Sequence, residues 1–236
     1  MRQEQDDRKG VQAVDKALSL LQCFAEDRQK LHLKDFAAAT GLYKSTILRL
    51  LDSLIRGGMV IRSADDSYML GPQIFYLGGI YRATFDLETT VKPLIHSLGE
   101  RLAESLIFYV RVGDERVCLY RHNSRMPLRH HVEIGTRHHL SVGGSAAHVL
   151  RAWTEPDSPE GEDIRARGYA TSAGERLPGL SSISTGLFAL SGRFLGALVI
   201  SGASERFGIE ERISSLRMIL PEIPHFGVTA PPTLKL

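Results

Sequence analysis

Lys44, Ser45, Thr46 and Arg49 bring two cations and two hydroxyls together at the head of a segment whose apolar residues keep helical spacing. Ile47, Leu50, Leu51 and Leu54 fall at i, i+3, i+4 and i+7, which gathers them on one stripe of an α-helix. The polar set stands in the first turns, mostly off that stripe, where a helix has unpaired N–H groups and can hold cations toward an anion. From Gly41 to Arg62 the basic residues Lys44, Arg49, Arg56 and Arg62 face a single acid, Asp52. Such a patch suits phosphate contact. The whole chain of 236 residues carries a net charge of only +2, so bulk basicity is no argument for a polyanionic partner, and the patch alone makes the case. Arg62 and Tyr68 extend it onto a β-prone stretch further along. Asp52 reads as an intrahelical partner of Arg49 or Arg56 rather than as a reader of cytosine.

A second group of residues suits a small ligand. In GTRHHLSVGGSAA, Gly143 and Gly144 precede a helix that begins near Ser145, and their backbone N–H groups suit a carboxylate at the positive helix end. Ser182 and Ser201, in strands expected to lie side by side, supply hydroxyls, and Leu180 and Val199 supply apolar wall. A mostly apolar pocket with a few placed polar groups favours a small organic acid, carboxylic or aromatic, over a sugar or nucleotide. The alternative is a metal sensor, because His122, His130, His131, His138, His139 and His148 crowd one region. Neighbouring strand residues point to opposite faces and no cysteine or HExxH spacing accompanies them, so no metal and no cofactor is expected. Ser145, His148 and Ser182 prompt a hydrolase reading. However, GGSAAH lacks the G-x-S-x-G elbow, no G-x-G-x-x-G or phosphate-loop spacing occurs, and Ser145 fits a helix N-cap or first turn. No catalytic residue is assigned, and the chain is not expected to be an enzyme.

The elements that would position these groups follow in order. VQAVDKALSLLQCFA predicts a first helix with Val14, Ala17, Leu18, Leu21 and Ala25 on one face, and residues 34–40 a second, stopped by Gly41. The Lys44 segment is the third helix. After Gly57-Gly58, MVIR and SYML form a small hairpin, which completes a winged helix-turn-helix over residues 8–70. Residues 71–86 predict a linker helix whose Ile74, Phe75, Leu77, Ile80 and Tyr81 exceed what a lone surface helix needs, which points to a partner. Residues 87–225 read as an α/β domain: a helix at VKPLIHSLGERL, two strands in LIFYVRVGDERVCLYRH, a third near 128–133, a helix at SAAHVLRAW, a loop at TEPDSPEGED, a hairpin turning at Ser191-Gly192 and a last helix near 209–220. Residues 226–236, rich in proline, read as an irregular tail. Cys23 and Cys118 lack any CxxC spacing and read as core thiols. No apolar run reaches membrane-span length and the charged start is unlike a signal peptide, so no membrane partner and a cytoplasmic location are expected.

The order of these parts resembles the isocitrate-lyase-regulator (IclR) family of bacterial transcription factors across nearly the whole chain. The matching stretches are VQAVDKALSLL, TGLYKSTILRLLDSLIRGGMV, YMLGPQIFYLG, GTRHHLSVGGSAA, GYATSAGERLPGLSSISTGLF and LGALVISG. The resemblance implies an α+β, two-domain protein: a winged helix-turn-helix, a linker helix used in dimerisation and a GAF-like or profilin-like effector-binding domain. It implies a double-stranded DNA operator, a small-molecule effector, and homodimers that can pair into tetramers. Ser172, Leu180, Ser182, Val199 and Ser201 match ligand-contacting positions of the family. Ser182 departs from the cysteine often found there.

Overall fold

The computed structural model describes residues 10–25, 27–85 and 87–234, apart from the side chains of 82–85, and the chain divides into one unit up to Thr84 and another from Phe85 onward. Positions 8, 9, 26, 86, 235 and 236 of the expected spans lie outside the described residues.

In the first unit, α1 (Gln12–Leu21), α2 (Leu33–Thr40) and α3 (Lys44–Arg56) precede the antiparallel pair β1 (Val60–Arg62) and β2 (Tyr68–Leu70). Ile47 and Leu51 of the α3 stripe are fully buried and meet Leu20, Leu31, Phe36, Val60 and Tyr68 in one core, with Leu50 and Leu54 packed beside it. The face of α1 differs from expectation. The helix ends at Leu21, so the following residues leave its period; Leu20 and Cys23 turn inward, while Val14 and Leu18 stay 54% and 50% exposed. Helix α4 (Pro72–Phe85) follows, with Phe75, Tyr76, Leu77, Ile80 and Tyr81 all exposed.

The second unit is built on a seven-stranded sheet. Its strands are β3 (Ser105–Val112), β4 (Glu115–His122), β5 (Arg137–His139), β6 (Tyr169–Ala173), β7 (Leu180–Ala189), β8 (Phe194–Ala203) and β9 (Val228–Thr229). The spatial order is β5-β4-β3-β8-β7-β6, every pairing is antiparallel, and β9 joins the far end of β7. Period-two alternation sorts the strand residues between two cores. Leu106, Phe108, Leu198 and Ile200 pack on the side of α5 (Val91–Arg101) and α8 (Ile209–Ile219). Ile107, Tyr109, Cys118, Ala197 and Val199 pack on the side of α6 (Ser145–Thr154) and α7 (Pro159–Arg167). Both cysteines are free and buried.

Three expected features are corrected. TEPDSPEGED holds α7 rather than a loop. The helix is specified by its ends: Ser158 Oγ accepts from Gly161 N–H, Pro159 opens the first turn, Glu160 and Glu162 lie near the start, and Arg165 and Arg167 near the end. Residues 128–133 form no strand; their carbonyls are taken by side chains instead, Ser105 Oγ donating to His130 O at 2.8 Å and Arg206 to Leu128 O at 2.6 Å. The third strand in sequence is β5. Nor is the tail from 226 wholly irregular. Prolines confine Leu220–Phe226 to a 3-10 helix, but Val228 and Thr229 then pair with Ala189 and Phe188, and Val228 is 1% exposed.

Candidate functional site

Helix α3 opens at Tyr43 with no side-chain cap and no acid in its first turn, so leading N–H groups remain available to an anion. Lys44, Ser45 and Arg49 are exposed there and Thr46 is half-buried. Arg62 on the wing is exposed, donates to Asp66 at 2.8 Å and lies over the Tyr68 ring at 5.9 Å. Tyr68 itself is a correction. Its ring is 3% exposed and packs edge-on against Phe36 at 5.9 Å, so the first residue of β2 faces the core and not a DNA groove. Asp52 pairs with neither arginine among the described residues; Arg56 donates to Ser53 Oγ at 3.1 Å instead. Tyr43, 84% exposed beside Lys44, is an added candidate, and since its apolar ring fits no helical stripe, periodicity gives no reason to pick it out.

In the second unit, alternation turns Tyr109, Arg116, Ser182, Val199 and Ser201 toward the N-terminus of α6. With Gly144, Ser145, Ser172, His130, Arg176 and Leu180 they enclose a cavity of about 30 Å³. Of the sequence-chosen residues, Gly144, Ser172, Leu180, Ser182, Val199 and Ser201 line it; Gly143 does not, and its carbonyl accepts from Arg116 Nη1 at 2.8 Å. The turn into α6 needs both glycines, whose φ angles are 73° and 93°. Ser145 Oγ bonds Ser182 Oγ at 2.7 Å and Ser184 Oγ at 2.6 Å, which accounts for three buried hydroxyls without any nucleophile–base pair.

The cationic members are absent from the sequence-based selection. Arg116 is 2% exposed, lies over the Tyr109 ring at 5.5 Å, makes no ion pair among the described residues, and its Nε has no hydrogen-bond partner. Burial pushes its guanidinium below the ordinary value, and burial pushes the Tyr109 phenol up to about 12. Arg176 Nη2 donates to His130 Nε2 at 2.5 Å. Arginine can only donate, so Nε2 is the acceptor and Nδ1 carries the proton, which it gives to Ser201 Oγ at 2.6 Å. Burial first, and then the Arg176 charge, bring His130 down to about 3. The imidazole is therefore neutral near pH 7.

The helix end itself departs from expectation. Gly144 N–H is already taken by Glu175 Oε2 at 2.8 Å, and His148 Nε2 meets the same oxygen at 2.7 Å. Burial works to raise the Glu175 carboxyl, but the Gly144 and His148 bonds outweigh it and hold it below its usual range. Four of the six clustered histidines have separate polar partners, His130 with Ser201, His131 with Glu133, His139 with Ser141 and His148 with Glu175. Among the described residues no three His, Cys, Asp or Glu converge.

A winged helix-turn-helix with cations at the head of its third helix, followed by an α+β unit enclosing a cationic cavity, defines a helix-turn-helix transcription regulator. Comparison with known proteins agrees at both ends of the chain: residues 13–63 match the IclR helix-turn-helix domain, and residues 158–223 match the bacterial transcriptional regulator IclR C-terminal domain. The chain belongs to the IclR family, whose members are transcriptional regulators and not enzymes. It is 27% identical over 222 residues to the glycerol operon regulatory protein of Streptomyces coelicolor, covering 84% of this chain and 87% of that one. Among solved structures, a putative IclR regulator from Silicibacter sp. superposes with a TM-score of 0.77 at 23% identity, covering 95% of this chain and all 100% of the other. An IclR homologue from Microbacterium hydrocarbonoxydans, complexed with 4-hydroxybenzoate, gives a TM-score of 0.69 at 18% identity over 94% and 98% of the two chains. Among the described residues no helix is long and apolar enough to cross a membrane.

Proposed function

We propose that this DNA-binding regulator reads its operator with Lys44, Ser45, Thr46 and Arg49 of α3, aided by Arg62 on the wing, and that a small organic acid in the second unit controls operator affinity. The observation that carries the acid is Arg116. A buried guanidinium without an ion-pair partner costs several kcal/mol, and here it lines a cavity with a second guanidinium, Arg176, its Nε lacks an acceptor, and the nearby Glu175 carboxylate is bonded to Gly144 and His148 instead. A carboxylate supplies both the charge and the acceptor. The serines, Leu180 and Val199 then frame it.

Residues 8–70 act as the DNA-binding domain, 71–86 as the dimerisation helix and 87–225, extended by β9, as the effector domain. Homodimerisation through the exposed apolar residues of α4 meets the need to span two half-sites one DNA turn apart, and pairing of dimers into tetramers is compatible with it. The protein acts where its DNA is, in the cytoplasm.

The test is a thermal-shift screen of carboxylic acids, with 4-hydroxybenzoate among the first, on wild type and Arg116→Met. It is paired with gel-shift assays on a duplex selected from a random library. An acid at 100 times its dissociation constant stabilises by about 2.7 kcal/mol. Stabilisation that survives in Arg116→Met, or an absence of any stabilising acid, refutes the reading.

A further inference from the structure

The inner cavity is too small for a whole organic acid. Its 30 Å³ is room for a carboxylate-sized group, a little more than the roughly 10–15 Å³ that one water needs on the same measure. Beside it lies a second cavity of about 300 Å³, to which Leu128, Leu177, Pro178 and Ala203 contribute apolar surface. His130 and Leu180 line both cavities, so the two spaces adjoin at these side chains. About 150 Å³ is enough for a benzene ring.

The walls of the outer space are anchored independently of any ligand. On one side Leu128 O accepts from Arg206 at 2.6 Å, and Arg206 is held by the buried Glu104 through two bonds of 2.7 and 2.8 Å. On the other, Leu177 and Pro178 sit in the β6–β7 connection, which turns on Gly174 and Gly179 at φ angles of 72° and 78°. Backbone bonds fix that connection: Gly174 N–H to Leu180 O at 2.8 Å, Leu180 N–H to Leu177 O at 3.1 Å and Ser204 N–H to Gly179 O at 2.8 Å. Charge is sorted between the two spaces. The inner one holds Arg116 and Arg176 with no carboxylate in its lining, whereas the outer one has both a cation, Arg129, and a carboxylate, Glu205.

We propose that the outer cavity between residues 128–131 and 177–180 binds the aryl or branched-alkyl body of a monocarboxylic acid whose carboxylate passes His130 and Leu180 to reach Arg116 and Arg176. This rests on the acid-effector reading above and narrows it to acids with a bulky apolar body. Glu205 lines the same space as Arg129, so a second carboxylate there meets a like charge as well as a cation, and dicarboxylic acids gain little over monocarboxylic ones. Acids of two or three carbons leave that space empty.

The experiment compares acetate, benzoate and 3-phenylpropanoate by titration calorimetry on wild type, Leu177→Ser and Leu128→Ser. Both leucines are exposed, at 50% and 62%, so their replacement spares the fold. On wild type the aryl acids bind at least tenfold more tightly than acetate, and each serine variant removes most of that advantage while leaving acetate affinity alone. Equal affinity for acetate and the aryl acids overturns the proposal, as does an aryl advantage that persists in both variants. If none of the three binds although operator binding is intact, the acid-effector reading itself falls, and this inference with it.

Discussion

His130 makes stability depend on pH in a way that can be worked out beforehand. In the unfolded chain its imidazole titrates near 6.5, whereas in the folded protein burial and then Arg176 hold it at about 3. Between those values the unfolded state binds more protons, so His130's contribution to stability is fully present above pH 6.5 and is lost as pH falls toward 3. From pH 7 to pH 5 the unfolded imidazole takes up most of a proton and the native one almost none. At about 1.36 kcal/mol per pH unit of difference, the loss is about 2 kcal/mol. His130→Asn removes this contribution and leaves the shifted carboxylates and other histidines in place. The chain's single tryptophan, Trp153, packs against Phe188 and Phe194 in the second unit, so urea unfolding followed by its emission reports that unit alone. Between pH 7 and 5 wild type should lose about 2 kcal/mol more than His130→Asn. Parallel pH curves for the two proteins refute the reasoning, because they require an imidazole that titrates alike in both states.

Lys44→Ala and Arg49→Ala should leave the melting temperature unchanged and weaken duplex binding, each lost phosphate contact lowering the log–log salt slope by about 0.9 in gel shifts across a salt series. The double variant Phe75→Asp/Leu77→Asp should sediment as a smaller species than wild type at micromolar concentration, whereas a wild-type monomer sinks the dimer proposal. A stop codon after Phe226 removes β9, the burial of Val228, the packing of Ala230 and Leu234 and the Thr233 bond to Arg165 O, and should destabilise the second unit by more than the ~2 kcal/mol of Val228 alone in the Trp153 assay.

The third helix of the helix-turn-helix was readable because Ile47 and Leu51 obey helical periodicity and both are core residues. Ser182 and Ser201 were placed together because their strands read as neighbours, which β7 and β8 are, with the two serines paired in register. What periodicity cannot show is which cation goes inside. Arg116 sits in ERVCLYRH with nothing to separate it from Arg121, yet the first is 2% exposed and the second is paired with Glu133 nearer the surface. Burial of a charge is decided by tertiary packing, here by Tyr109 and the α6 turn, and leaves no local mark. Helix α7 escaped for the opposite reason. Its evidence lies in capping chemistry at Ser158-Pro159, and a segment that buries only Gly161 and Ile164 has almost no apolar stripe to detect.

Glu175 changes what an affinity for this pocket would measure. Its carboxylate holds the Gly144 N–H and reaches the site on the same short connection that brings in Arg176. An incoming acid that uses that N–H therefore exchanges one carboxylate for another, and the hydrogen bond it gains is one the protein gives up. Such an exchange contributes little net energy, so the common feature of all acids is discounted at the helix end. Discrimination then falls on the rest of the molecule, and one residue's side chain sets the threshold that any acid must exceed before the cavity registers it.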